Sequence, residues 1–207
     1  AQEIIDKFEY DQVLKKRKSV IIAPEKNNKT FKGPAIIAQG TVSPEQGFVT
    51  ISSVCFASFI KFFTDYLEAL QKGLTTADEH HLFDSMIPFL EPIQKALPKF
   101  IPYPFPNEEI VYSAIIEAGK KTVEYGLVDS YFGNVSYFWN GTLYISQTGS
   151  SLDELSGCID PVPMDGSTSA GLTASSELSA HLETISRTRC KAILHGHPKF
   201  SVILSMD

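Results

Sequence analysis

The chain has 207 residues, enough for one large domain or two small ones, and its 43% hydrophobic residues can fill a core. A formal net charge of −6 argues against non-specific nucleic-acid binding, which needs a basic face. Three cysteines, Cys55, Cys158 and Cys190, cannot form a fully paired disulfide framework and are too scattered for a cysteine-based zinc site, so a reducing, cytoplasmic setting is expected.

The N-terminus, Ala1 to Lys7, carries charges and no apolar h-region, and so does not read as a signal peptide. Ser19–Ala23 and Pro34–Ala38 are short β-rich runs separated by a turn region at Lys26–Lys29. The longest apolar stretch, Gly47 to Ile60, is interrupted by Ser and Thr and reads as stopping at Lys61. It looks too short to span a bilayer and is expected as a strand or loop feeding a buried helix, so no membrane partner is expected. Phe56, Phe59, Ile60, Phe63, Leu67 and Leu70 then fall at helical spacing, with Ser52 or Ser53 to cap the start and Gly73 to end it. Thr76 and Glu79 form a capping box for a second helix, which Pro88 and Pro92 would kink or stop. Leu97 to Pro106, with Pro98, Pro102, Pro104 and Pro106, reads as a linker. The boundary placed there divides an N-terminal α/β region, residues 1–106, from a domain over residues 107–207.

Asn107 caps a helix whose first turn holds Glu108 and Glu109, where acids favour the positive end of the dipole. Ile110, Ala114, Ile115, Ala118 and Val123 supply its buried stripe, and Gly126 ends it. Val135–Trp139 and Thr142–Ser146 flank Asn140-Gly141, a strong hairpin signal. Gly- and Ser-rich loops run on to Ala174, Ser175 caps a helix to about Arg187, and Lys191–Leu194 opens a buried strand.

The sharpest chemical feature is His195-Gly196-His197 at the end of the apolar run Ala192-Ile193-Leu194. Residues two apart on a strand point the same way, so the two imidazoles form a natural pair of metal ligands. Ser175-Ser176-Glu177 opens a predicted helix, with His181 one turn after Glu177 on the same face. A helix N-terminus with serine hydroxyls suits an anion such as phosphate, and a negative net charge does not exclude that. Gly133-Asn134 and Thr148-Gly149-Ser150-Ser151 are two further anion-friendly loops. Alone, each feature has a plainer meaning: polar residues at a strand end, an ordinary N-cap, turn chemistry.

In this order, Gly133-Asn134-Val135-Ser136, Thr148-Gly149, Asp165-Gly166, Ser175-Ser176-Glu177, His181 and Leu194-His195-Gly196-His197-Pro198 resemble the class II aldolase/adducin family. The resemblance covers residues 107–207 and matches the N-terminal, metal-binding half of that domain. It implies a three-layer α/β fold with a central, mostly antiparallel sheet flanked by helices, here preceded by the additional α/β N-terminal region. It implies that His195 and His197 ligate a divalent cation, usually Zn2+. Glu177 would be a third ligand or the acid/base. Gly133, Asn134, Thr148, Gly149, Ser175 and Ser176 would cradle a substrate phosphate, and His181 would pack or orient a ligand. The implied activity is an aldolase-type lyase acting on a phosphorylated ketose through a metal-stabilised enediolate, in a homo-oligomer, commonly a tetramer. Glu at position 177, where the family's epimerases tend to have Asp, tilts the reading towards aldol chemistry.

The family's metal site also has a histidine in a His-Gly pair well downstream of His-x-His, whereas this chain stops ten residues after His197. It also begins without Met and ends straight after an apolar run, so a partial or processed product is expected, with the domain incomplete at its C-terminus. A segment like the family's strand–His–Gly–helix stands at Pro34–Gly40, with Gln39 in the place of His. His80-His81 could contribute one ligand at most, because adjacent helical side chains diverge by about 100°. The alternatives are an adducin-like assembly module with a degenerate metal site, and a sugar-phosphate epimerase or dehydratase of the same family.

Overall fold

A computed structural model describes residues 10–22, 35–90, 96–167 and 173–206. The chain divides into two compact units, Ala1–Thr75 and Thr76–Ser205. In the first, helix α1 (Tyr10–Leu14) precedes strands β1 (Ser19–Ile22) and β2 (Ala35–Ala38). The strands pair antiparallel, with Ser19 opposite Ala38 and Ile22 opposite Ala35. Ala23, Pro34 and the turn region at Lys26–Lys29 lie outside the described residues.

Helix α2 (Pro44–Gln71) starts well before the expected caps at Ser52 and Ser53. Ser43 caps it instead, its hydroxyl accepting from the Gln46 N–H at 3.3 Å, and Pro44 stands in the first turn, where a missing N–H costs little. The stretch Gly47–Ile60 is therefore helical rather than a strand or loop, and it does not stop at Lys61. That side chain is exposed and pairs with Asp65 one turn on, at 2.6 Å, so the charge sits outside while the helix continues. With 28 residues, α2 is long and apolar enough to cross a membrane by length and composition, contrary to the reading of the shorter stretch. Ile60, Phe63 and Tyr66 are its buried residues, whereas Leu67 and Leu70 of the expected apolar face are exposed.

The second unit opens with α3 (Ala77–Met86) on the expected capping box, Thr76 Oγ accepting from Glu79 N–H and Glu79 accepting from Thr76 N–H. A 3-10 turn at Ile87–Phe89 takes in Pro88, and Pro92 lies outside the described residues. The proline-rich segment that follows is fastened to helix α4 (Glu108–Glu124) and its end. The Tyr125 hydroxyl donates to Ala96 O at 2.6 Å, and the Ile101 N–H donates to Glu117 Oε2 at 2.9 Å.

Asn107 caps α4 as expected, accepting from Ile110 N–H at 3.0 Å. The buried stripe is different: Val111, Ile115, Gly119 and Thr122, sharing only Ile115 with the expected set. Gly119 accounts for the rotation, because a Cβ there would come within 2.3 Å of the Leu152 carbonyl oxygen. Packing that close is available only to the glycine face, and Ala118 and Val123 are left at its margin.

Strands β3 (Gly133–Trp139) and β4 (Thr142–Ser146) form the expected hairpin, with Asn140 and Gly141 both at positive φ, 48° and 81°. Strand β5 (Ile159–Pro163) falls within the stretch expected as Gly- and Ser-rich loops, and it contains Pro161 and Pro163. It lies at one edge of the sheet, ordered β5-β4-β3-β6, where a missing N–H leaves no ladder bond broken. Strand β6 (Ala192–Gly196) forms the other edge, so Ala192 and Leu194 are exposed rather than buried as expected. All three pairings are antiparallel. Helices α5 (Leu178–Arg187) and α6 (Lys199–Leu204) complete the unit.

Alternation along the strands makes two cores. Val135, Tyr144 and Ile159 pack with Val111 and Ile115 of α4 and with Leu152 and Leu155. Leu143, Ile145 and Val162, on the opposite face, pack with Leu178, Leu182 and Ile185 around α5. The outcome is the three-layer α/β arrangement with an antiparallel sheet flanked by helices. Tyr144 ties its layers together, the hydroxyl donating to Glu108 at 3.1 Å. Burial and that carboxylate push its pKa up to about 12, so it remains a donor.

Candidate metal centre

The β3–β6 ladder sets Asn134 directly opposite His195 and Gly133 opposite Gly196. The strands approach so closely that a Cβ on Gly133 would lie 2.5 Å from the His195 carbonyl oxygen, and one on Gly196 would lie 2.5 Å from Val128 Cγ1. Gly133 is thus needed for the ladder itself, a reason beyond the anion-binding one, while Gly196 leaves room for the Val128 side chain. His195 is the last residue but one of β6 and His197 follows the strand, with ring centroids 4.8 Å apart.

Glu177 comes from the opposite side. It is the residue before α5, two positions after Ser175, which was expected to cap that helix. Instead the Ser175 hydroxyl accepts from Glu177 N–H at 3.3 Å and its carbonyl accepts from Leu178 N–H at 2.9 Å, a short turn that aims the Glu177 side chain at β6. Glu177 Oε2 lies 2.5 Å from His195 Nδ1. One ligand atom each from Glu177, His195 and His197 lie within 4.8 Å of one another. The side chains of His195 and Glu177 are 34% and 40% exposed, so an ion could reach them.

Asn134 holds this group together from below. It is 7% exposed, and its Nδ2 donates to Glu177 Oε2 at 3.0 Å while lying 3.3 Å from His195 Nδ1. Its Oδ1 is buried with no hydrogen-bond partner among the described residues. One turn into α5, His181 is buried and pairs with Ser136 Oγ through Nδ1 at 2.7 Å. Burial pushes its pKa down, the nearby His195 adds to this, and Glu177 opposes it. His181 therefore faces a buried hydroxyl under the centre and offers no ligand atom to it.

A pocket of about 160 Å³ opens beside the cluster. Gly133, Asn134, Thr148, Gly149, Ser175 and Ser176 all line it, together with Glu177, His195 and His197. Ser150, from the expected anion-friendly loop, lines it as well, and so do Gln147, Tyr131 and Phe132, which the sequence does not single out. The loop donors are fewer than the sequence implies. Thr148 N–H is spent on Thr173 O, Ser150 N–H on Gln147 O, and Ser175 N–H on Ser146 O. Among the described residues, the N–H groups of Gly149 and Ser176 and the hydroxyls of Thr148 and Ser176 make no hydrogen bond, which leaves these donors for a ligand.

Other sequence candidates lie elsewhere. Gln39 donates its amide to the backbone carbonyls of Leu14 and Arg17, and so ties its own unit together. His80 and His81 are exposed on α3. A larger hollow, about 620 Å³, lies over residues 38–51, and its lining includes no titratable side chain.

Residues 113–207 match the profile of the Class II Aldolase and Adducin N-terminal domain. This segment is therefore similar to the class II aldolase/adducin family. Solved structures similar to the chain include an L-fuculose-1-phosphate aldolase from Thermus thermophilus, at 30% identity over 46% of this chain and 48% of that one, TM-score 0.42. YgbL from Escherichia coli is 27% identical over 42% and 44% of the two chains, TM-score 0.39. A further L-fuculose 1-phosphate aldolase is 28% identical over 48% and 49%, TM-score 0.43. The chain spans about half the length of each of these structures. No curated protein matches it.

Class II aldolases are generally metal-dependent, and the residues present suit an ion. Two imidazoles and a carboxylate form a borderline-hard donor set typical of zinc sites with an open position. Two atoms bound at about 2.1 Å in tetrahedral geometry lie about 3.4 Å apart, so the cluster needs only small side-chain adjustments to take an ion.

Proposed function

We propose that this chain is a class II aldolase-type, metal-dependent lyase acting on a small phosphorylated ketose or similar hydroxy-carbonyl compound. Glu177, His195 and His197 would hold the divalent ion, with Zn2+ the best match to the donor set. The observation carrying this reading is the convergence of these three side chains at the rim of a pocket that keeps unspent hydrogen-bond donors. When bound, the ion would polarise a substrate carbonyl and stabilise the negative charge that develops beside it.

The chain's own residues do the rest. The Gly149 and Ser176 N–H groups and the Thr148 and Ser176 hydroxyls bind the phosphate, aided by the N-terminus of α5. Gly133 and Ser175 shape the walls on either side. Asn134 orients Glu177, and the Glu177 carboxylate takes or returns the proton next to the reacting carbon. A homo-oligomer in the cytoplasm, with no nucleic-acid or membrane partner, belongs to the same proposal.

The test is turnover of a panel of ketose 1-phosphates by the full chain with added zinc. The expected result is carbon–carbon cleavage that requires zinc and is abolished by His195→Ala with His197→Ala. Products that are epimers or dehydrated sugars would move the assignment to the neighbouring chemistries. Absence of both zinc binding and turnover would favour an adducin-like assembly module.

A further inference from the structure

Asp160 is a buried carboxylate, 7% exposed, outside the cluster that would hold the ion. It stands on the edge strand β5 and accepts two hydrogen bonds. Gln147 Nε2 donates to Oδ1 at 2.7 Å, and Thr173 Oγ1 donates to Oδ2 at 2.6 Å. The two donors come from the two segments that supply the pocket's unspent hydrogen-bonding groups.

Gln147 follows β4 and leads into Thr148-Gly149, and its carbonyl receives both the N–H and the hydroxyl of Ser150, at 3.2 and 2.7 Å. Thr173 leads into Ser175-Ser176, and its carbonyl receives the Thr148 N–H at 2.9 Å. The backbones of these segments meet at one isolated bridge, Gln147 with Ala174, flanked by two backbone bonds, Thr148 N–H to Thr173 O and Ser175 N–H to Ser146 O. Side-chain bonds to a common buried anion reinforce this short junction. A carboxylate offers a separate acceptor oxygen to each donor, and its charge strengthens both bonds.

We propose that Asp160 is the positioning residue of the anion site: it clamps Gln147 and Thr173 and thereby holds Thr148-Gly149 and Ser175-Ser176 at the spacing a phosphate group requires. This rests on the reading of the pocket as a phosphate site. Asp160 touches no ligand and takes no part in holding the ion, so its effect falls on anion binding and spares the metal.

The experiment measures inorganic phosphate and zinc binding to the full chain by titration calorimetry. Asp160→Ala removes both acceptors and is expected to weaken phosphate binding by about tenfold, with zinc affinity unchanged. Asp160→Asn keeps an acceptor for Gln147 and a donor for the Thr173 hydroxyl, and is expected to stay within about threefold of wild type. Thr173→Val removes one bond with little change of shape and is expected to fall between them, which covers an Asp160→Ala chain that does not fold. Wild-type phosphate affinity in folded Asp160→Ala or, if that chain does not fold, in Thr173→Val overturns the clamp, as does Asp160→Asn as weak as Asp160→Ala. A wild-type chain that binds no phosphate overturns the phosphate reading, and the clamp falls with it.

Discussion

Asn134 and His195 face each other across the β3–β6 ladder, and the Asn134 amide that reaches the imidazole at 3.3 Å also donates to Glu177 at 3.0 Å. One buried side chain thus sets the orientation of a ligand candidate on each side of the centre. Groups that orient ligands in this way typically contribute about 10- to 100-fold to metal affinity. Asn134→Ala is expected to weaken zinc binding within that range while the chain stays folded. Competition with a chelating dye measures it, and wild-type affinity would show that the amide holds nothing.

Gly119 is the point of closest approach between α4 and the segment after β4. The Cβ of Gly119→Ala would meet the Leu152 carbonyl at 2.3 Å and Leu155 Cδ1 at 2.7 Å. Backbone cannot yield as a side-chain tip can, so the helix must shift, at a cost of about 1–3 kcal/mol despite the better helix propensity of Ala. Urea unfolding should show a lower midpoint; an unchanged or higher midpoint would mean that the packing is looser than described.

His181 gives the fold a pH dependence whose sign follows from its surroundings. Burial holds its folded pKa below the ordinary 6.5, while the unfolded imidazole keeps that value. The unfolded chain therefore takes up the proton first as pH falls. The stability contribution is complete above about 6.5 and is lost as pH drops through that value towards the folded pKa. Thermal unfolding followed between roughly pH 7.5 and 5 should show this decline. His181→Gln, which can still bond Ser136, should flatten it; an equal slope in both chains would assign the decline to other groups.

Removing the Tyr144 hydroxyl tests how the sheet is tied to α4. Its bond to the Glu108 carboxylate is partly solvent-exposed at the acceptor end, so Tyr144→Phe is expected to cost about 1 kcal/mol, seen as a fall in Tm of a few degrees. A Tm unchanged within error would show that the bond contributes nothing net.

What could be read from the sequence was local. Asn107, Thr76 with Glu79, and Asn140-Gly141 specify caps and a turn through bonds and dihedrals within a few residues, and all appear where expected. Features decided by tertiary neighbours were not legible. Pro161 and Pro163 hid β5, because only its place at the sheet edge makes them tolerable. Leu152 pressing on Gly119 selects the buried face of α4, and nothing in the helix itself announces that. In the pocket, Glu177, His195 and His197 stood out by type and spacing, and the structure places them together. Gln147 and Asp160 did not stand out, since a glutamine in a turn and an aspartate beside prolines look like surface residues until their mutual bond is seen.

Zinc titration of the full chain, wild type against the His195→Ala, His197→Ala double variant, addresses the centre most directly. About one equivalent should bind to wild type through two imidazoles and a carboxylate, with protons released as the ligands give theirs up, and the double variant should bind less than about a tenth of that. A wild-type chain that takes up no zinc, cobalt or manganese, or a double variant that binds as well as wild type, would contradict it.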